Sequence, residues 1–199
     1  MYEIFLKVVD LVHALGYIGI FIMTLIESTF IPIPAEITLI PAGYLVQSGQ
    51  MNFLLVLLVS TAGTVAGSLI NYYIAYFYGR KLLLKYGNYF FIDEKKLQTI
   101  EFFFQRHGAI STFSGRLLPG LKHFISFPAG LAKMDLFKFC LYTAMGGGIW
   151  SGLLIALGYY IGRNEDLIHQ NLLLINVVVV GSVLCLALVY YLRNRGGRK

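Results

Sequence analysis

Charge is what this chain has least of. Only 13% of its 199 residues are Asp, Glu, Lys or Arg, about half the share of a soluble domain. That poverty excludes an ordinary soluble enzyme and a disordered segment. Acidic residues are the scarcer sign, 10 against 16 Lys and Arg. The resulting +6 does not point to nucleic acid, because the basic residues lie between or after apolar runs. Cysteine is nearly absent. Cys140 and Cys185 both lie inside uncharged runs and read as small core residues, with no loop for a disulfide to staple. His13, His107, His123 and His169 lack ligand-like spacing, so no metal is expected. No Walker A, Gly-x-Ser-x-Gly or His-Glu-x-x-His pattern occurs. The reading is a protein that is not an enzyme, needs no cofactor and binds no nucleic acid.

What the chain has is apolar length, 57% of it hydrophobic. Segments 53–78, 139–161 and 172–192 carry no charge. Each reaches the roughly 20 residues that span a bilayer as a helix. One polytopic membrane domain over 1–199 follows, with no room for an appended soluble domain. Two further apolar stretches are interrupted. Segment 16–46 contains Pro32, Pro34 and Pro41, and 108–132 contains Pro119 and Pro128. Proline removes a donor and breaks a helix, and each limb is too short to cross alone. Broken backbone at membrane depth is tolerated where protein or a wet cavity covers it. Both stretches therefore read as re-entrant helical hairpins, broken at Pro32, Pro34, Pro119 and Gly120. A single kinked spanning helix is the alternative for the first. Residues 2–15 read as an interfacial amphipathic helix, and 93–107 as a second surface helix. Paired tyrosines, among them Tyr72, Tyr73, Tyr159 and Tyr160, read as interface anchors.

The chain also reads as duplicated. Shifting 51–80 by 83 positions onto 134–163 aligns Met51 with Met134, Gly63 with Gly146, Ser68 with Ser151 and Tyr76 with Tyr159. Gly79-Arg80 then falls on Gly162-Arg163, and each copy is preceded by Pro-Ala-Gly, at Pro41 and at Pro128. The unit is a hairpin followed by a spanning helix. Segment 79–107 and the C-terminal tail are basic, which assigns both to the cytoplasm. The two units then run in opposite senses. The expected fold is all-α: an inverted repeat of hairpin plus helix, with a third C-terminal transmembrane helix. Such repeats, with broken helices meeting near the midplane, characterise secondary transporters.

Four ionisable residues fall inside the interrupted stretches: Glu27 and Glu36 in the first, Arg116 and Lys122 in the second. Facing lipid at mid-membrane each would cost about 2.5–3.5 kcal/mol or more, so they are expected to face one another or a cavity. The bases flank Pro119-Gly120, whose freed backbone N–H groups would also suit an anion. Arginine's fork matches phosphate, whereas lysine is a point charge. The glutamates are candidates to carry protons. Two structural salt bridges locking the hairpins are the competing reading. The Gly-x-x-x-Gly pairs at Gly63, Gly148 and Gly158 read as packing contacts, and Asn71 as an interhelical hydrogen-bonder.

These motifs resemble those of the DedA family, part of the SNARE-associated or VTT-domain superfamily. Glu27-Ser28-Thr29-Phe30-Ile31-Pro32-Ile33-Pro34-Ala35-Glu36 is similar to its first signature. Phe113-Ser114-Gly115-Arg116-Leu117-Leu118-Pro119-Gly120-Leu121-Lys122, followed by Pro128-Ala129-Gly130, is similar to its second. Gly147-Gly148-Ile149-Trp150 and Gly158-Tyr159-Tyr160-Ile161-Gly162 extend the likeness. The resemblance implies a bacterial inner-membrane lipid transporter driven by proton motive force. It implies undecaprenyl phosphate or a phospholipid such as phosphatidylethanolamine as substrate, Glu27 and Glu36 as essential acids, and Arg116 and Lys122 at the family's paired arginines. Lys122 departs from that pattern. The partners are membrane lipids and protons. A small-cation/proton antiporter and a non-transporting scaffold are the competing functions, and the sequence leaves open whether the chain forms a homo-oligomer.

Overall fold

The computed structural model describes residues 2–29, 34–80, 94–118 and 122–163. Among them the secondary structure is helical throughout. In order they form α1 (Tyr2–Glu27), α2 (Glu36–Gln47), α3 (Phe53–Ile74), a π-helical turn (Ala75–Gly79), α4 (Glu94–Leu117), α5 (Ser126–Leu131) and α6 (Leu136–Arg163). The expected third spanning segment, 172–192, lies outside the described residues, as do Pro32, Pro119 and Gly120.

Among the described residues three helical stretches are long and apolar enough to cross a membrane: Leu6–Glu27, Phe53–Gly79 and Leu136–Arg163. The first of these is broken inside. Gly16 takes φ 59° and ψ −156°, a left-handed conformation that only glycine adopts at little cost. Residues 17–27 beyond it rise about 16 Å, roughly half a hydrocarbon core. The segment before Gly16 does not lie apart on a surface. Val9 and Val12 are buried in the same apolar cluster as Leu39, Leu45, Val56 and Ile155.

Two sequence-drawn boundaries shift. Segments 94–107 and 108–117 form one helix, because Gly108 lowers helix propensity by only about 1 kcal/mol and its bare face accommodates the Met134 sulfur. Pro41 lies within α2 rather than ending it. It forfeits the hydrogen bond to the Ile37 carbonyl, yet its neighbours Leu39, Ala42 and Leu45 are almost fully buried and hold the helix. The starts of α3 and α6 are set alike. Asn52 Oδ1 accepts from the Leu54 and Leu55 amides at 2.9 and 3.2 Å, and Asp135 Oδ1 from the Lys138 amide at 2.9 Å.

The helices cross where glycines let backbones touch. A Cβ on Gly43 would strike the Ile155 carbonyl, and one on Gly130 the Tyr72 carbonyl. One on Gly158 would strike the Ile40 carbonyl. Gly79 meets Leu131, and Gly162 meets Tyr44. So α2 packs on α6, and α5 packs on α3 and its π-turn. By contrast α1 packs on α3, through Gly63 against Phe21 and Thr24, and α4 packs on α6, through Gly146 against Phe113 and Arg116. Gly148 and Gly152 make only ordinary contacts; Gly147, against Thr64, is the close approach between α3 and α6.

Candidate functional site

The site forms where α1 and α4 stop. Glu27 is the last residue of α1 and Arg116 lies in the last turn of α4, where the helix dipole favours a cation. Each helix ends before its prolines. At the end of α1 the chain is tied off locally: the Ser28 amide donates to the Thr24 carbonyl at 3.1 Å, and Thr24 Oγ1 to the Ile20 carbonyl at 2.8 Å. It is also tied from outside. Asn71 Nδ2 of α3 donates to the Ser28 carbonyl at 3.2 Å. His123 Nδ1 lies 2.8 Å from the Glu27 carbonyl. A carbonyl only accepts, so that nitrogen carries the hydrogen, and the imidazole caps one of the orphan carbonyls of a helix end.

The side chains meet across the same gap. Lys122 Nζ donates to Glu27 Oε1 at 2.7 Å, both side chains being nearly buried. It also stands 5.7 Å from the centroid of the Trp150 ring on α6, a cation–π distance. Arg116 is 3% exposed. Its Nη2 donates to Ser126 Oγ, at the start of α5, at 2.7 Å. No carboxylate pairs with it among the described residues, and its Nε has no hydrogen-bond partner among them. Trp150 Nε1 is likewise buried and unpartnered. Bare Gly146 makes the room for Arg116, since a Cβ there would lie 2.8 Å from that of the arginine.

Glu27, Arg116, Lys122, His123 and Trp150 line one cavity of about 20 Å³. That is room for about one water molecule and too little for a phosphate. The arrangement holds two cations and one carboxylate, and two buried donors, Arg116 Nε and Trp150 Nε1, have no partner among the described residues.

Three of the four charged residues singled out in the sequence line this cavity. Glu36 does not: it stands half-buried in the first turn of α2. Pro34 precedes that helix, its carbonyl accepting from the Ile37 amide at 3.2 Å. Sequence reasoning missed Trp150 as a site residue, though it is the single tryptophan and lies in the family-like Gly-Gly-Ile-Trp run. It missed Ser126 as well, for which no sequence signal stood out. Tyr72 is not an interface anchor. It is 3% exposed and its hydroxyl donates to the Met134 carbonyl.

The described fold, with its long apolar helices, defines a multi-pass helical membrane protein. Comparison with known proteins narrows the class. The VTT domain matches residues 33–160, and the chain belongs to the VTT-domain (DedA) family. It is 36% identical over 197 residues to the uncharacterized membrane protein YkoX of Bacillus subtilis, covering 97% of this chain and 86% of that one. It is 33% identical over 183 residues to undecaprenyl phosphate transporter A of the same organism, covering 91% and 90%. To protein DedA of Escherichia coli it is 27% identical over 177 residues, covering 87% and 79%. No solved structure matches it.

Proposed function

We propose that this chain is a lipid translocase of the bacterial inner membrane that moves a phosphate-bearing lipid, such as undecaprenyl phosphate, and is coupled to protons. One observation carries the reading: Arg116 is a buried cation that no carboxylate pairs among the described residues, in a cavity lined by one further unpartnered donor, Trp150 Nε1. A buried charge without a partner is unstable unless something binds it. A lipid phosphate supplies that partner, with its acyl chains left in the bilayer. The likeness to a protein named undecaprenyl phosphate transporter A supports the same substrate class.

Glu27 gives the coupling. In this structure it holds Lys122. A proton on Glu27 would cancel the pair and release Lys122 to join Arg116 on the phosphate. Loss of the proton would return Lys122 to Glu27 and weaken the phosphate's hold. Glu36 lies outside the cavity and would act on an opened state. Phosphatidylethanolamine remains the alternative lipid. A small-cation antiporter is less well supported, since Glu27 is already occupied by Lys122 and Arg116 would repel a cation.

The proposed architecture is two re-entrant hairpins of opposite sense, each followed by a spanning helix, with the third spanning helix at 172–192 and a cytoplasmic C-terminus. The crossed packing supports it. Under the offset of 83, Gly158 corresponds to Ala75, Ile155 to Tyr72 and Gly162 to Gly79, and these are the positions met by α2 and α5 respectively. The test is purified protein in liposomes of defined lipid, with head-group flipping followed with and without a pH gradient. Flipping of phosphate lipid that needs Arg116 and responds to the gradient is the expected result. Flipping unaffected by loss of Arg116 would end the proposal.

A further inference from the structure

A second feature lies away from the Arg116 cavity, at the turn between α5 and α6. Lys133 has φ 52°, the one non-glycine residue in the left-handed region among those described. It sits where a helix ends: the Lys133 amide donates to the Gly130 carbonyl and the Met134 amide to the Ala129 carbonyl, both at 3.0 Å. Such a position ordinarily takes glycine, which has no Cβ to strain. The end of α2 makes the same kind of turn, and there the left-handed residue is Gly49, φ 75°. The Gly49 amide donates to the Val46 carbonyl at 3.2 Å and the Gln50 amide to the Leu45 carbonyl at 2.9 Å. One turn thus has the residue its backbone favours and the other carries a lysine. An outlier of this kind points to a task for the side chain.

The side chain stands between two clefts. On one side Lys133 lines a cleft of about 260 Å³ together with Arg106 of α4 and Lys138 of α6. Asp135 is the one acid in its lining, and its Oδ1 is engaged by the Lys138 amide as a helix cap. None of the three cations forms an ion pair among the described residues. On the other side Lys133 lines a groove of about 490 Å³ with Tyr73, Tyr76, Phe77 and Leu136. Its Nζ lies 5.5 Å from the Tyr76 ring centroid. Tyr73, Tyr76 and Phe77 are exposed, and the last is 63% so.

We infer that this pair of clefts is a binding site for an anionic phospholipid, separate from the translocation site. Arg106, Lys133 and Lys138 take the head-group phosphate, and an acyl chain lies along Tyr73, Tyr76 and Phe77. The charge of the cleft, three cations against one engaged carboxylate, complements an anionic head group. The aromatic groove beside it, opening from the same lysine, complements a hydrocarbon chain and not a free ion. Basic pockets between helices at a membrane surface recognise lipid head groups by this combination. Lys133 is the hinge residue of the site because it alone of the three cations lines both clefts.

The test uses the purified full chain in detergent, with bound lipid counted by native mass spectrometry. Phosphatidylglycerol and phosphatidylcholine are offered in equal amounts. The wild type should retain phosphatidylglycerol in preference. Lys133→Gly should lower that retention about fivefold, the weight of one cation near a membrane surface, while raising the unfolding temperature because glycine relieves the turn. Lys133→Gln should show the same loss of lipid without the gain in stability. Inorganic phosphate at millimolar concentration should not displace the lipid, and the loss caused by Lys133→Gln should be the same in an Arg116→Met background. Equal retention of both lipids, displacement by inorganic phosphate alone, or full retention by both Lys133 variants would each overturn the assignment. No further loss on adding Lys133→Gln to Arg116→Met would place the lipid in the translocation site instead.

Discussion

Replacing Arg116 by methionine should make the empty protein more stable and unable to bind its substrate. Methionine keeps an unbranched stem against bare Gly146 and removes only the guanidinium. Its removal costs the bond to Ser126, about 1.5–3 kcal/mol for a charged donor. It relieves a desolvated cation, a penalty of several kcal/mol per ion, and an orphan donor at Nε. Exchanging buried ionic groups for apolar ones of similar volume typically stabilises by about 1–4 kcal/mol. The net expectation is about 1–2 kcal/mol of gain, or an unfolding midpoint higher by roughly 2–8 °C for a chain of this size. Thermal unfolding in detergent without added lipid measures the first half. The second is read from Trp150. As the single tryptophan it reports on the cavity directly. Its fluorescence should change as a phosphate lipid is titrated into wild type and stay flat in Arg116→Met. A midpoint lowered by several degrees would show that the guanidinium is a structural donor. A wild-type fluorescence response in the variant would remove Arg116 from the binding site altogether.

Glu27→Gln should have the opposite sign on stability, since it strands Lys122; a nearly buried pair broken on one side costs about 3 kcal/mol. The same variant mimics the protonated carboxyl, so it should bind phosphate lipid more tightly and flip it without response to a pH gradient, as measured in liposomes. Lys122→Arg should retain or improve flipping of a phosphate lipid, because the fork replaces a point charge; loss of flipping at normal membrane abundance would argue that Lys122 serves only Glu27. Gly43→Ala and Gly158→Ala should each cost about 1–3 kcal/mol by driving a methyl into a facing carbonyl, seen as reduced folded yield, whereas alanine at Gly152, with ordinary clearance, should be silent.

The long uncharged runs were legible because a bilayer demands so much of them. An absence of charge over about 20 residues leaves few alternatives, and helices form over both runs that the structure describes. The exact starts were hidden. Lys138 ended the uncharged run at 139, although the helix begins at Leu136, capped by Asp135. The meeting of Glu27 with Lys122 was legible for a similar reason: two opposite charges in interrupted apolar stretches have few places to go. Which base pairs with which acid was not. Nor were Ser126 and Trp150, because their roles depend on how α5 and α6 are placed, not on any local pattern. Pro41 and Gly108 misled because propensity is a weak prior that burial overrides.

The way the proposed halves interlock bears on how such a site could open. Under the proposed duplication, α1 and α4 correspond, and Gly63 meets Phe21 and Thr24 as Gly146 meets Phe113 and Arg116. The offset of 92 that brings Phe21 onto Phe113 brings Thr24 onto Arg116. Thr24 satisfies itself, donating to the Ile20 carbonyl one turn back. Arg116 reaches outward to Ser126 at the start of α5. The scaffold is thus matched while its central residue is not: one half offers a self-contained hydroxyl, and the other a cation that no carboxylate pairs among the described residues. Because α2 rides on α6 and α5 on α3, neither half can tilt without carrying part of the other. Among the described residues the polar contacts that join the halves at the cavity are Glu27 with Lys122 and the Glu27 carbonyl with His123. Both end on Glu27. A proton arriving there would weaken the first directly, and under the proposed function that step unlatches the site. Cross-linking bears on this directly: a disulfide between cysteines introduced at Thr64 of α3 and Gly147 of α6, whose Cβ atoms would lie 3.7 Å apart across the two halves, should block flipping. Unimpaired flipping in the cross-linked protein would mean that the halves do not tilt against each other.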